Sequence, residues 1–230
     1  MTVRKDFAML RFSDELRQRA DSIWAAQHTH PFVLGIGDGS LDAERFGFWL
    51  RQDYLFLIDY ARLFAGGVIR APDLGSMTRF SKLLNEVLGR EMELHRSFCA
   101  EFGISAFALE RTLKLPTTQG YTDFLVRTAT TGEYSELLGA LLPCMWGYSE
   151  VGIGLAARGL PDDNRYRRWI NVYADPEFAE LAEWCRELTD TACEGLPLKR
   201  LDRVAQVFIA SSRYELAFWE MAWSKESWPV

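Results

Sequence analysis

Ala140-Leu141-Leu142-Pro143-Cys144-Met145-Trp146-Gly147-Tyr148-Ser149-Glu150 is an apolar helical stretch interrupted by a single proline. A proline inside a helix brings no amide hydrogen and pushes away the carbonyl four residues earlier, here that of Gly139. The sequence therefore predicts a kink at the point where Cys144 is offered. Cys144 and Tyr148 fall one turn apart on the same helix face, so a thiol and a phenol point together toward whatever that face covers. The plainer reading is that a lone cysteine in an apolar helix is an inert core residue.

Working outward, apolar residues recur at helical spacing along almost the whole chain, and alternating runs joined by Asn-Gly or Asp-Gly turns are missing. The fold class is all-α. Ser13 is the expected N-cap of a helix running to His28, with Asp14 and Glu15 in its first turn and Pro31 to Leu34 forming a short turn after it. The glycine-rich run from Gly35 to Ser40 breaks the pattern. Ser40 should cap a long helix from Leu41 to Arg70, ended by the Ala71-Pro72 step. A second long helix is expected from Leu74 to Glu101, followed by a short segment near Ser105 to Leu113. Further helices are expected at Thr118 to Thr130, Glu133 to Arg158, Arg165 to Ala174, Pro176 to Glu194 and Pro197 to Glu226. Pro176 and Pro197 fall near first helical positions, where a missing amide costs least. These helices make a multi-helix bundle, and with no linker in 230 residues the chain reads as a single domain over 1–230.

Composition narrows the function. A net charge of −6 offers no basic run to neutralise phosphates, which argues against nucleic acid. Arg4, Lys5 and Asp6 near the start are not followed by a long apolar segment, and no stretch reaches the roughly 18 apolar residues that span a bilayer, so a cytoplasmic protein with no membrane partner is expected. Cys99, Cys144, Cys185 and Cys193 have no CxxC spacing and are too few for a disulfide scaffold, so reduced thiols are expected.

Two further segments carry polar groups among aromatic ones. On the helix around Gln52, the residues Asp53, Phe56 and Tyr60 lie on one stripe at i, i+3 and i+7. Rings can sandwich a flat heterocycle while the carboxylate accepts hydrogen bonds from an exocyclic amine and a ring N–H. On the last helix, Ser211, Glu215 and Phe218 share a face. If Glu215 is buried, its pKa rises toward the range useful for proton transfer; if it faces outward, it is an ordinary surface acid. Tyr121 and Tyr173 sit in helices with no other feature.

Some signals are set aside. Gly35-Ile36-Gly37-Asp38-Gly39 follows no strand and completes no phosphate-binding pattern, so it reads as a helix-helix turn and no nucleotide is expected. A di-iron bundle needs two Glu-x-x-His motifs, but Met92 stands three residues before His95, and only His28 and His30 remain. Those two could be a metal pair or a haem ligand. Their place at a helix end favours capping or surface roles.

Taken together, His30-Pro-Phe-Val-Leu-Gly-Ile-Gly-Asp-Gly-Ser-Leu41, Gln52-Asp53-Tyr54, Glu91-Met-Glu-Leu-His95, Ala140 to Trp146, Trp169-Ile-Asn-Val-Tyr173 and Tyr214 to Ala222 resemble the TenA proteins. This is the family of thiaminase II, or aminopyrimidine aminohydrolase. The matching segments span nearly the whole chain in the family's order. The resemblance implies a haem-oxygenase-like helical bundle, a homotetramer, no cofactor or metal, and a small-molecule aminopyrimidine substrate. By the same resemblance Asp53 looks like the carboxylate that binds the aminopyrimidine, Cys144 like the nucleophile and Glu215 like the acid that handles the leaving group. Tyr121, Tyr148, Tyr173 and Phe218 look like pocket-lining residues. Phe56 stands where some members carry tyrosine, so stacking should survive while a hydroxyl contact is lost.

The implied reaction hydrolyses 4-amino-5-aminomethyl-2-methylpyrimidine, and thiamin more slowly, to 4-amino-5-hydroxymethyl-2-methylpyrimidine in thiamin salvage. A thiolate that adds to the ring and later departs, and an acid that protonates the leaving amine, suit that chemistry. The competing expectations are a haem-oxygenase-like relative with another activity and a non-catalytic protein that binds or senses a thiamin-related ligand.

Overall fold

Helical periodicity becomes helices throughout residues 10–229, which the computed structural model describes. Arg4, Lys5 and Asp6 lie outside the described residues. In chain order the elements are α1 (Phe12–Arg19), α2 (Asp21–His28), α3 (Pro31–Asp38), α4 (Ala43–Arg70), α5 (Leu74–Glu86), a π-helical turn (Val87–Glu91), α6 (Met92–Glu101), α7 (Ala106–Glu110), α8 (Pro116–Thr131), α9 (Tyr134–Ala157), α10 (Asn164–Tyr173), α11 (Pro176–Cys193) and α12 (Leu198–Ser224). No helix among them is long and apolar enough to cross a membrane.

The helix at the centre is α9, which carries the proline and packs against α12, α11, α10, α8 and α4. It is apolar on nearly every side, from Leu137 through Leu155, and a helix of that kind has no face to give to water. Two glycines let neighbours come close. A Cβ on Gly139 would lie 3.1 Å from the Val204 carbonyl oxygen of α12, and one on Gly152 only 2.5 Å from the Tyr173 carbonyl carbon at the end of α10. Pro143 does not end α9. Beside it, the carbonyls of Ala140 and Leu141 take side-chain hydroxyls from other helices: Ser211 Oγ donates at 2.7 Å and the Tyr60 hydroxyl at 3.3 Å.

Several expected boundaries need correction. Ser13 is not an N-cap. It lies within α1, and the Asp190 carboxylate of α11 accepts from its backbone N–H at 2.7 Å, doing the work a cap would do. The helix predicted to His28 is interrupted at Ala20. The short turn at Pro31 and the glycine break after it are instead a helix, α3. A ring nitrogen of His30 accepts from the Phe32 N–H, and Gly35 fits tightly against Leu41, so its missing side chain serves packing rather than a turn. Only Gly39 ends α3, with a left-handed φ of 79° that suits glycine. Asp42, not Ser40, caps α4 by accepting from the Glu44 N–H at 3.0 Å. The helix expected from Leu74 to Glu101 is divided by the π-helical turn. Pro176 is the first residue of α11 as expected, whereas Pro197 is the cap residue of α12.

The Gly152 contact ties α9 to the residue that ends α10. Gly152→Ala is expected to destabilise the protein by about 1–3 kcal/mol, because the new methyl meets backbone that cannot swing aside. Denaturant unfolding of the two forms checks it.

Candidate active site

The side chains singled out above converge where α4, α8, α9, α10 and α12 meet. From α4 come Asp53, Phe56 and Tyr60, all buried, so the stripe faces inward with its acid and no member of it sits at a solvent edge. The Phe56 ring lies 5.2 Å from Tyr60, 5.1 Å from Tyr121 and 5.7 Å from Phe218. On the far side, Tyr148 and Tyr173 stand 4.9 Å apart, and Trp219 lies 5.2 Å from Tyr148. These aromatic walls are pinned by their neighbours: Tyr121 stacks on Tyr214 at 5.1 Å with nearly parallel planes.

Glu215 of α12 is buried, settling the alternative that the sequence left open. The Tyr121 hydroxyl donates to its Oε1 at 2.5 Å and shares a 3.0 Å contact with Ser211 Oγ. Ser211 in turn donates to the Ala140 carbonyl, so Glu215, Tyr121 and α9 form one connected network. The Cys144 thiol lies within reach of both the Glu215 carboxyl and the Tyr60 hydroxyl. Burial pushes the Glu215 carboxyl up to about 7, while its contacts with Tyr121 and Cys144 pull the other way. Burial, with Glu215 and Asp53 nearby, also raises the Cys144 thiol well above its ordinary value, so it rests as a thiol.

Among the four cysteines, position separates one from three. Cys99, Cys185 and Cys193 are buried in the core, and desolvation pushes each thiol to about 12. Cys144 keeps accessible surface, as does Tyr173 on the wall of the recess beside Asp53.

Asp53 is held well above the usual carboxylate range, first by desolvation and then by Glu91 and Glu215. It opens onto a small recess lined also by Trp49, Glu91, His95, Trp169 and Tyr173. Glu91 is the last residue of the π-helical turn, and burial brings its carboxyl to about 7. A shallower groove on the outside of α10 holds Arg167 and Arg168, but the first donates to the Pro161 carbonyl and the second pairs with Glu101.

All eight candidate residues therefore lie in one neighbourhood. Four more belong with them and were not singled out as site residues: Tyr60, Ser211, Glu91 and His95. Tyr60 and Ser211 already lay on the right helix faces. Glu91 and His95 share a helical face at i and i+4, which pairs them but does not aim them. The remaining histidines are engaged as their helix-end positions suggested: His30 caps α3 and contacts Glu220 at 3.1 Å, and His28 contacts Glu150 at 3.3 Å.

Residues 17–225 match the model of the TENA/THI-4/PQQC family. The chain belongs to this family. It is 43% identical over 222 residues to an aminopyrimidine aminohydrolase of Halalkalibacterium halodurans, covering 95% of this chain and 98% of that one. Among solved structures, a TenA homologue from P. horikoshii superposes with a TM-score of 0.87 at 30% identity, covering 94% of this chain and 99% of that one. A domain of unknown function from Shewanella denitrificans, described as having a heme oxygenase-like fold, superposes with a TM-score of 0.73 at 18% identity over 95% and 94% of the two chains. The TenA-type chain described here thus has the haem-oxygenase-like fold.

Burying Glu215 has a pH signature. Its folded pKa lies above the unfolded value, so the folded state holds the extra proton and stability falls as pH rises from 4.5 through about 7. Glu215→Gln is expected to be stabilised relative to the parent by up to about 3 kcal/mol above pH 7, and to gain little below pH 4.5. Thermal unfolding across that range checks the sign.

Proposed function

We propose that this chain is an aminopyrimidine aminohydrolase that converts 4-amino-5-aminomethyl-2-methylpyrimidine, and thiamin more slowly, to 4-amino-5-hydroxymethyl-2-methylpyrimidine. The observation that carries the reading is the contact between the Cys144 thiol and the buried Glu215 carboxyl, inside an aromatic enclosure that Asp53 also faces. The similar protein of Halalkalibacterium halodurans carries the name aminopyrimidine aminohydrolase.

In this reading the pyrimidine lies among Phe56, Phe218, Tyr148 and Tyr173, and Asp53 takes up hydrogen bonding at its amino edge. Ionised Glu215 accepts the thiol proton of Cys144, and the sulfur adds to the ring. Glu215 then gives that proton to the amine as the bond to the methylene breaks, releasing ammonia. Water adds to the methylene carbon and loses a proton to Glu215. The sulfur leaves the ring and recovers the proton. One water is consumed and one ammonia released, with no net oxidation. Tyr121 holds Glu215 in line through both halves, and Tyr60 steadies the sulfur. A carboxyl near 7 suits this exchange, since at neutral pH it passes between its two forms with little driving force either way.

The same reading places the enzyme in the cytoplasm as a homotetramer. Free thiols support a reducing compartment. Ile69, Leu74 and Met77, exposed around the turn from α4 to α5, support an apolar contact between copies.

Steady-state hydrolysis of the aminomethylpyrimidine beside thiamin tests the assignment. The parent is expected to turn over both, the aminopyrimidine faster. Cys144→Ser should abolish measurable turnover while still binding the pyrimidine, and Glu215→Gln should lower kcat by about 10²–10⁴-fold. A Cys144→Ser form working near the parental rate would remove the nucleophile from this scheme.

A further inference from the structure

Asp53 has one ring nitrogen near its carboxyl: His95 Nδ1 stands 3.5 Å from Oδ2. The other nitrogen of that ring, Nε2, lies 2.7 Å from the carbonyl oxygen of Leu50. A carbonyl can only accept, so Nε2 carries the hydrogen. Both residues are buried, and desolvation draws the imidazole down to about 4, so the ring is neutral. A neutral ring with its hydrogen on Nε2 turns a bare lone pair toward Asp53. Two acceptors cannot share a hydrogen bond unless one of them brings the proton. Among the described residues the groups that face Asp53 are acids and a phenol: Glu91 approaches from the π-helical turn, Glu215 from α12 and Tyr173 from α10.

We propose that His95 is a positioning residue that keeps Asp53 as a neutral acid, its hydrogen directed from Oδ2 to His95 Nδ1, so that Oδ1 is left as a plain carbonyl acceptor for the exocyclic amine of the substrate. The inference deepens the aminopyrimidine reading and rests on it. Leu50 and Asp53 belong to the same turn region of α4, so the ring on α6, bonded to the Leu50 carbonyl, stands beside the Asp53 side chain of the same helix. In the proposal, that placement decides which oxygen holds the hydrogen. An exocyclic amine then meets an oriented acceptor, and the substrate is recognised without an ion pair. Neutral recognition suits a dry aromatic enclosure, where an unpaired carboxylate is costly.

Asparagine is the neutral mimic of this state. Its amide nitrogen can donate to His95 Nδ1 while its carbonyl faces the amine, whereas alanine supplies neither. The test is calorimetric titration with 4-amino-5-hydroxymethyl-2-methylpyrimidine of the parent, Asp53→Asn, Asp53→Ala, His95→Phe and His95→Gln, with KM and kcat measured on the histidine variants.

Asp53→Asn is expected to hold the pyrimidine within about fivefold of the parental Kd, and Asp53→Ala to lose about tenfold or more. His95→Phe should raise KM by a similar factor with kcat within about threefold, and His95→Gln, which can donate to Leu50 and accept from Asp53, should recover most of that loss. Asp53→Asn binding as weakly as Asp53→Ala would overturn the proposal by showing that charge is required. So would a His95→Phe form with the parental KM. If His95→Phe does not fold, the contrast between asparagine and alanine decides alone. A parent that neither binds this pyrimidine nor hydrolyses the aminomethylpyrimidine overturns the functional reading as well, which separates the two failures.

Discussion

Burying two carboxyls in one aromatic enclosure is the constraint on which the rest of this structure depends. Taking an ionised carboxylate out of water costs several kcal/mol unless it is paired, and among the described residues neither Asp53 nor Glu215 has a lysine or arginine partner. The molecule meets that cost with neutral donors and acceptors. Tyr121 and the Cys144 thiol serve Glu215, and His95 faces Asp53. Each of these comes from a different helix, so the bundle must hold α4, α6, α8, α9 and α12 in fixed relation for the acids to be tolerated at all.

That requirement explains why α9 is at once the most buried helix and the one carrying the reactive thiol. A proline within it removes an internal hydrogen bond, and nearby carbonyls are engaged by Ser211 and Tyr60 from flanking helices. The same two hydroxyls reach the site, Ser211 through Tyr121 and Tyr60 through Cys144. Packing and chemistry therefore share their parts. A change made to loosen the bundle near Pro143 would also move the hydrogen bonds around Glu215.

The π-helical turn is a second place where fold and site meet. One residue of extra winding shifts the phase of α6 relative to α5 and brings Glu91 and His95 onto the recess with Asp53. In an uninterrupted helix, the face presented after Val87 would differ. Such a turn has little propensity signal, since Val87-Leu88-Gly89-Arg90-Glu91 reads as ordinary helix.

The all-α class, the order of the helices and the stripe of Asp53, Phe56 and Tyr60 were legible in the sequence, because a period of 3.6 residues is a local property that neighbours along the chain express together. So was the shared face of Cys144 and Tyr148. Helix starts were read less well: Asp190, distant in sequence, replaced the cap expected of Ser13, and a histidine capped α3 where glycines suggested a turn. The depth of Glu215, the protonation of its neighbours and the arrival of His95 at Asp53 were decided only by the tertiary structure. Burial and hydrogen-bond partnership depend on which helices face one another, and that is settled by packing between residues far apart in the chain.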